Sequence, residues 1–241
     1  MSQQHCACVE DGVDPLLTEL REPVRVFHVD PADDQRRHCK AFIHEVFRRA
    51  HGADVESFYP DFLGYTTGPR LRAVVGYRGA GASTLFAERY LDAPAEVVVS
   101  GCLGRTVARG VLVEVGDLAL ADPGQARWVI ASTTAFLAAS GYRWVLFTAT
   151  RPVANAFRRL GLRPVPLAPA DTARLPDGGS SWGRYYDAGP VVYAGDILAG
   201  LAKLHNGSCA RQPRLQGLLE AARRLGDAPT APTAARATVA L

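Results

Sequence analysis

Apolar and polar positions alternate in "VRVFHV" (24–29), which is rich in β-branched residues and predicts a strand. Asp30 and Pro31 then predict a helix start, as N-cap and first helical residue, and the helix runs to about Ala50 with Phe42, Val46 and Phe47 on its apolar stripe. "GADVESFYPDFLGYTTG" reads as an aromatic-rich loop. Two runs, about 71–78 and 82–89, joined by "RGAGA", predict a hairpin. "EVVVSGCLG" suits a short strand or a helix entry, and 111–119 reads as a strand. A helix over about 124–140 stops at Gly141. Strand 143–150 follows, then a helix over 152–160 carrying Val153, Phe157 and Leu160 at helical spacing and stopped by Gly161. Strands near 163–168 and 190–193 flank a loop holding Pro, Asp and Gly, and helical patterns recur at 196–204 and 213–225. The order predicts an α/β protein with a mixed, mostly antiparallel sheet flanked by helices. Its expected layout is a leader (1–21), a main domain (22–200), a helical extension (201–226) and a disordered tail (227–241).

The bulk properties narrow the classes. Of 241 residues, 48% are hydrophobic and 21% charged, enough apolar content for a sizeable core. A formal net charge of +3 gives no reason to invoke nucleic acid. Five cysteines at irregular spacing, the "HCAC" start included, read as reduced thiols of a bacterial-type cytoplasm. No stretch reaches the roughly 18 apolar residues of a membrane span. His38, His44 and His51 share one predicted helix but stand too far apart to hold a metal by themselves.

Chemistry concentrates in "VLVEVGDLALADPGQARWVI" (111–130). The strand is apolar on both faces, so it is read as central, and Glu114 is a carboxylate inside it. Burial raises such a group toward the range of a general base; the competing reading pairs it with Arg105 or Arg109. Gly116 suggests a bulge or a close backbone approach. The turn holding Gly124, Gln125, Ala126 and Arg127 opens a helix, which suits a phosphate or is simply capped. In "FTATRPVANAFRRLGL", Thr148 and Thr150 end a strand and Asn155 rides the next helix, where it either meets a carrier arm or stays exposed.

These pieces resemble the GCN5-related N-acyltransferases (GNAT), in which a central strand carries a catalytic Glu and a Q/R-x-x-G-x-G/A turn holds the pyrophosphate of coenzyme A. Gln125 follows Glu114 by eleven residues. Trp128 and Ile130 stand where that family has small residues, which points to a carrier-protein donor. The family's Tyr acid falls near Phe157. "SFYPDFL", "VEVGDLA", "WVLFTAT", "FRRLGL", "LAPADTARLPDG" and "SWGRYYDAGPVVYAGDI" are similar to the bacterial thermostable hemolysin family, and the pattern also resembles the acyl-homoserine lactone synthases.

The resemblance implies a GNAT-like acyltransferase that takes an acyl group from acyl-CoA or an acyl carrier protein to an amine, with no permanent cofactor. Glu114 is then the base and Asp117 orients the acceptor. Amides near Leu118 and Ala119 hold the oxyanion, and Gly124 to Arg127, Thr148 and Asn155 hold the carrier arm. Phe58, Tyr59, Phe62, Trp182 and Tyr185 meet the acceptor, and Arg127, Arg158 and Arg159 meet an acidic carrier protein. Two other readings remain: a non-catalytic acyl-ligand or protein-binding module, and a membrane-active protein. The second would use the 211–225 segment, where Leu215, Leu218, Leu219 and Leu225 neighbour Arg211, Arg214, Arg223 and Arg224.

Overall fold

The computed structural model describes residues 23–206 and 212–228; the expected leader and most of the tail lie outside them. The order is β1 (Val24–Val29), α1 (Arg36–His51), β2 (Asp61–Thr67), β3 (Arg70–Gly79), α2 (Ala95–Leu103), β4 (Leu112–Leu120), α3 (Ala126–Ala139), β5 (Trp144–Ala149), α4 (Arg151–Arg159), β6 (Val165–Pro169), β7 (Val191–Asp196), α5 (Ile197–Asn206) and α6 (Pro213–Gly226). The seven strands form one sheet in the order β1-β2-β3-β4-β5-β7-β6. Every pairing is antiparallel except β4 with β5.

Side-chain alternation along the strands decides which helix covers which face. Leu63, Tyr65, Val75, Tyr77 and Val113 point into a core with α3 and α6. Their neighbours point the other way: Phe62, Val74 and Ala119 to α1, and Leu112, Trp144 and Leu146 to α2. Leu112 and Ala119 share a face although they are an odd number of residues apart. An irregularity in the β3–β4 register explains it: Val74 pairs with Ala119 and Gly76 with Gly116, so Asp117 and Leu118 together oppose Val75. Asp117 takes the left-handed conformation there, φ 46°.

Several expectations are corrected. The hairpin is not 71–78 with 82–89. β3 pairs with β2, inside the stretch read as a loop, across a turn at Gly68 and Pro69. β2 hides its strand character at Gly64, where a Cβ would lie 2.2 Å from the Phe27 ring. Residues 86–90 form a 3-10 turn instead of a strand, because the Glu88 carboxylate accepts from the Leu85 and Ala95 amides and pairs with Arg109 at 2.6 Å. α1 starts at Arg36, since Asp30 and Asp33 each cap a local turn first. "EVVVSGCLG" is helix α2. Gly141 and Gly161 do end helices with positive φ, 85° and 75°.

α6 puts Leu215, Leu218, Leu219 and Ala222 into the core against α3, so its apolar face is not available to a membrane surface. Among the described residues no helix is long and apolar enough to cross a membrane. Leu219→Ala should cost about 2–4 kcal/mol by opening a cavity there, read as a lower midpoint of chemical unfolding. An unchanged midpoint would mean that α6 does not stay docked.

Candidate active site

The site begins where two central strands part. β4 and β5 pair from Leu112 with Trp144 to Val115 with Phe147. Beyond that point β4 follows β3 through the bulge, while Thr148 and Ala149 follow β7. A cavity of about 1280 Å³ occupies the opening. Leu118, Thr148, Ile130 and Thr133 line it toward α3, and Phe58, Tyr59, Trp182 and Tyr185 line it on the α1 side.

Glu114 is 2% exposed and fully engaged. Its Oε2 accepts from the Phe86 amide at 2.8 Å and its Oε1 from the Ala87 amide at 2.6 Å. It also lies 3.7 Å from Arg78 Nε. Its cation is therefore Arg78; Arg109 pairs with Glu88 and Glu96, and Arg105 lies 3.8 Å from Asp196. Burial raises the Glu114 pKa, and the two amides and Arg78 oppose that rise.

Asp117 is 6% exposed and lines the cavity. Its Oδ2 accepts from the Tyr59 amide at 3.2 Å. Burial pushes its carboxyl up to about 7; the Tyr59 amide and Arg78 work against the rise, and the nearby Glu114 charge adds to it.

Tyr59 and Arg78 tie the two acids together. The Tyr59 ring lies against Gly76 and Gly116, a facing pair across β3 and β4, where added Cβ atoms would come within 3.0 Å and 2.5 Å of it. The close approach predicted at Gly116 is therefore made by this ring. Arg78 stacks on the ring, 4.6 Å from its centroid, and Arg36 donates to the Tyr59 carbonyl at 2.8 Å. Arg78, Arg36 and Phe86 carry no motif. Only the register that sets Arg78 opposite Glu114 reveals their place.

The donor side departs from the expectation. The Asp122 carboxylate accepts from the Gly124 amide at 2.9 Å, and its carbonyl accepts from the Gln125 amide at 3.0 Å. The side chain of Gln125 is buried against Arg72, donating to its carbonyl at 2.9 Å and accepting from its Nε at 2.9 Å. Ala126 is in the core, and Arg127 is half-buried at the same turn. Trp128 does not obstruct this turn: it is 1% exposed and packs edge-on to Tyr65 at 5.4 Å. Ile130 does face the cavity, because residues two apart on a helix point about 200° apart.

Three further placements differ. Asn155 is exposed on α4 and accepts from Arg158 at 2.9 Å, away from the cavity. Phe62 is 0% exposed, sunk under α1 with Arg36 stacked on it. Ala119 is likewise buried there, so of the expected oxyanion pair only Leu118 lines the cavity. Phe157 stacks on Phe147 at 4.5 Å and has no proton to give. No group of three or more His, Cys, Asp or Glu able to hold a metal ion occurs among the described residues.

Solved structures share this architecture. The CoA-dependent acyl-homoserine lactone synthase BjaI, with SAM and isopentyl-CoA, superposes with a TM-score of 0.52 at 14% identity, over 76% of this chain and 88% of that one. FeeM, an N-acyl amino acid synthase from uncultured soil microbes, gives a TM-score of 0.52 at 13% identity, over 75% and 95%. The fold is thus the GNAT-like one of acyltransferase-type synthases. No curated protein matches the chain at a significant level. The model of the thermostable hemolysin family matches residues 29–201, most of the chain, and the protein belongs to that family.

Proposed function

We propose that the protein is an acyltransferase that moves an acyl group from a thioester donor to an amine. The observation that carries this reading is a buried carboxylate, Asp117, held at the bulge where β4 and β5 part over a large cavity. Parting strands offer backbone groups to a carrier arm, and the cavity toward α3 accommodates an acyl chain along Val129, Ile130 and Phe147.

In this mechanism the amine nitrogen attacks the thioester carbonyl and the C–N bond forms. Asp117 takes the proton that the nitrogen sheds, and the backbone at Leu118 faces the oxyanion. The C–S bond then breaks, and the leaving sulfur takes the proton back from Asp117, so a thiol is released and the carboxylate is restored. The base expected at Glu114 is thereby assigned to Asp117 instead. Glu114, with both oxygens occupied, positions the Phe86 turn, and Asp117 is the base.

The donor reading follows from the turn before α3. Asp122 places a negative charge where a pyrophosphate would sit, and the Gly124 and Gln125 amides are already used. This supports a phosphopantetheine presented by an acyl carrier protein over free coenzyme A. The exposed Arg158 at the cavity, with exposed Arg159 beside it, supplies a basic rim for an acidic carrier.

The test is thiol release from acyl-CoA and from acyl carrier protein, with and without a primary amine, with the product weighed by mass spectrometry. Amine-dependent release and an N-acyl product are expected, faster from the carrier protein. Release from neither donor, with no amide formed, would overturn the reading.

A further inference from the structure

Two helices begin at the cavity, and their first turns differ. α3 follows β4, and its turn is filled from within the protein, where the Asp122 carboxylate accepts from the Gly124 amide at 2.9 Å. α4 follows β5 and has no such filling. Its N-cap is Thr150, whose side chain makes no capping hydrogen bond, and no acid stands in its first turn. Pro152 carries no amide hydrogen, and the Arg151 and Val153 amides find no acceptor among the described residues. Thr150 itself is 9% exposed and lines the cavity together with Val153, yet its hydroxyl has no partner among the described residues. A buried hydroxyl left open beside free amides, at the positive end of a helix, suits a negative charge.

The position of the site decides which charge. Val115 and Phe147 are the last residues to pair before β4 and β5 part. Asp117 and Thr150 lie two and three residues beyond them, each within about 10 Å of the parting at a strand rise of roughly 3.3 Å per residue. The charge is therefore one that develops beside Asp117 during the reaction. A phosphate at the remote end of a carrier arm would lie elsewhere. The thioester has one group still without a partner. Its acyl chain lies toward α3, its oxygen faces Leu118 and the amine faces Asp117. Its sulfur departs as an alkyl thiolate, a poor leaving group, since a thiol such as that of cysteine ionises only at about pH 8.5. Helix N-termini stabilise thiolates and lower that value.

The geometry points to the N-terminus of α4 as the site that receives the leaving thiolate, with the Thr150 hydroxyl and the Arg151 and Val153 amides donating to the sulfur. The electron pair of the breaking C–S bond goes to sulfur and the carbonyl re-forms. The thiolate holds its charge there until it takes the proton from Asp117. This rests on the acyltransferase reading and adds Thr150 to it as a catalytic residue.

The experiment uses the full chain as wild type, Thr150→Val and Thr150→Ser, with two donors of one acyl group. The first is the alkyl thioester that wild type uses faster, acyl-CoA or acyl carrier protein. The second is the thioester of thiophenol, whose thiolate needs no help to leave. A donor lost from an oxyanion hole costs about 10²–10³ in kcat, and sulfur is a weaker acceptor than oxygen. Thr150→Val should therefore lower kcat at least tenfold on the alkyl thioester and less than threefold on the aryl one, and Thr150→Ser should restore the alkyl rate. Equal losses on both donors, or no loss on the alkyl one, would overturn the inference. A second reading needs no transfer. Pantetheine is added to wild type and to Thr150→Val, and the ultraviolet absorbance of its thiolate is followed with pH. The bound thiol should ionise about one pH unit lower in wild type, the same tenfold. The same midpoint in both proteins would overturn the inference as well. The lower midpoint without transfer to any amine would sink the acyltransferase reading and leave the thiolate site standing. Transfer with equal losses on both donors would sink the inference alone.

Discussion

Asp117→Asn should lower kcat for amine acylation by about 10²–10⁴-fold, the usual range for a lost general base, and should make the folded protein more stable above pH 7. Asparagine keeps an oxygen for the Tyr59 amide and is among the residues that best tolerate the positive φ at this position. What it removes is the buried charge. The Asp117 pKa stands at about 7 in the fold against 3.8 as a free side chain, so between these values the native state binds more protons than the unfolded chain. Stability contributed by this group is then present below about pH 4, falls as pH rises, and is lost above about 7. The gap in stability between variant and wild type should open across that window and reach roughly 1–3 kcal/mol, the size seen for poorly compensated buried polar groups. Thermal unfolding at pH 5 and pH 8 measures it. A variant that keeps its activity, or gains nothing at pH 8, would remove Asp117 from the role assigned here.

Gly116→Ala should be damaging out of proportion to one methyl group. The added Cβ would lie 2.5 Å from the Tyr59 ring, which has Arg78 stacked on it. The ring must move or the strands must bend, at a cost of about 1–3 kcal/mol. Moving the ring also withdraws the Tyr59 amide from Asp117. A fall in kcat of at least tenfold is expected alongside the lower stability. Tyr59→Ala in the same chain vacates the space, so the double variant should be less destabilised than the sum of the single ones. Additive losses would mean that the ring does not lie on Gly116.

Glu114 stands out in the sequence because it is an acid flanked by valines in an apolar central strand, and the strand does lie at the middle of the sheet. Its partner was beyond reach of local reading: Arg78 is set opposite it by the β3–β4 register, a long-range fact. Asp117 looked secondary because bulge geometry, and not its spacing, turns it into the cavity. Phe58, Tyr59 and Phe62 are expected together at the acceptor, yet Phe62 belongs to β2 and alternation sends it under α1 while Tyr59 stays at the site. By count Trp128 stands where the related turn has a small residue, but helix phase sends it to the core. The 71–78 with 82–89 hairpin fails for a related reason. Gly64 weakened the strand signal of β2, and its necessity appears only once the Phe27 ring is seen on it.

The most direct test of the central claim is the pH dependence of amine acylation measured for wild type and Asp117→Asn side by side. Dividing one rate by the other removes the ionisation of the amine itself. The ratio should rise with pH and level off above an apparent pKa near 7, the value the buried Asp117 carboxyl holds in this fold. A ratio that is flat across pH 5 to 9 would contradict the account, because the proton would then be leaving by another route.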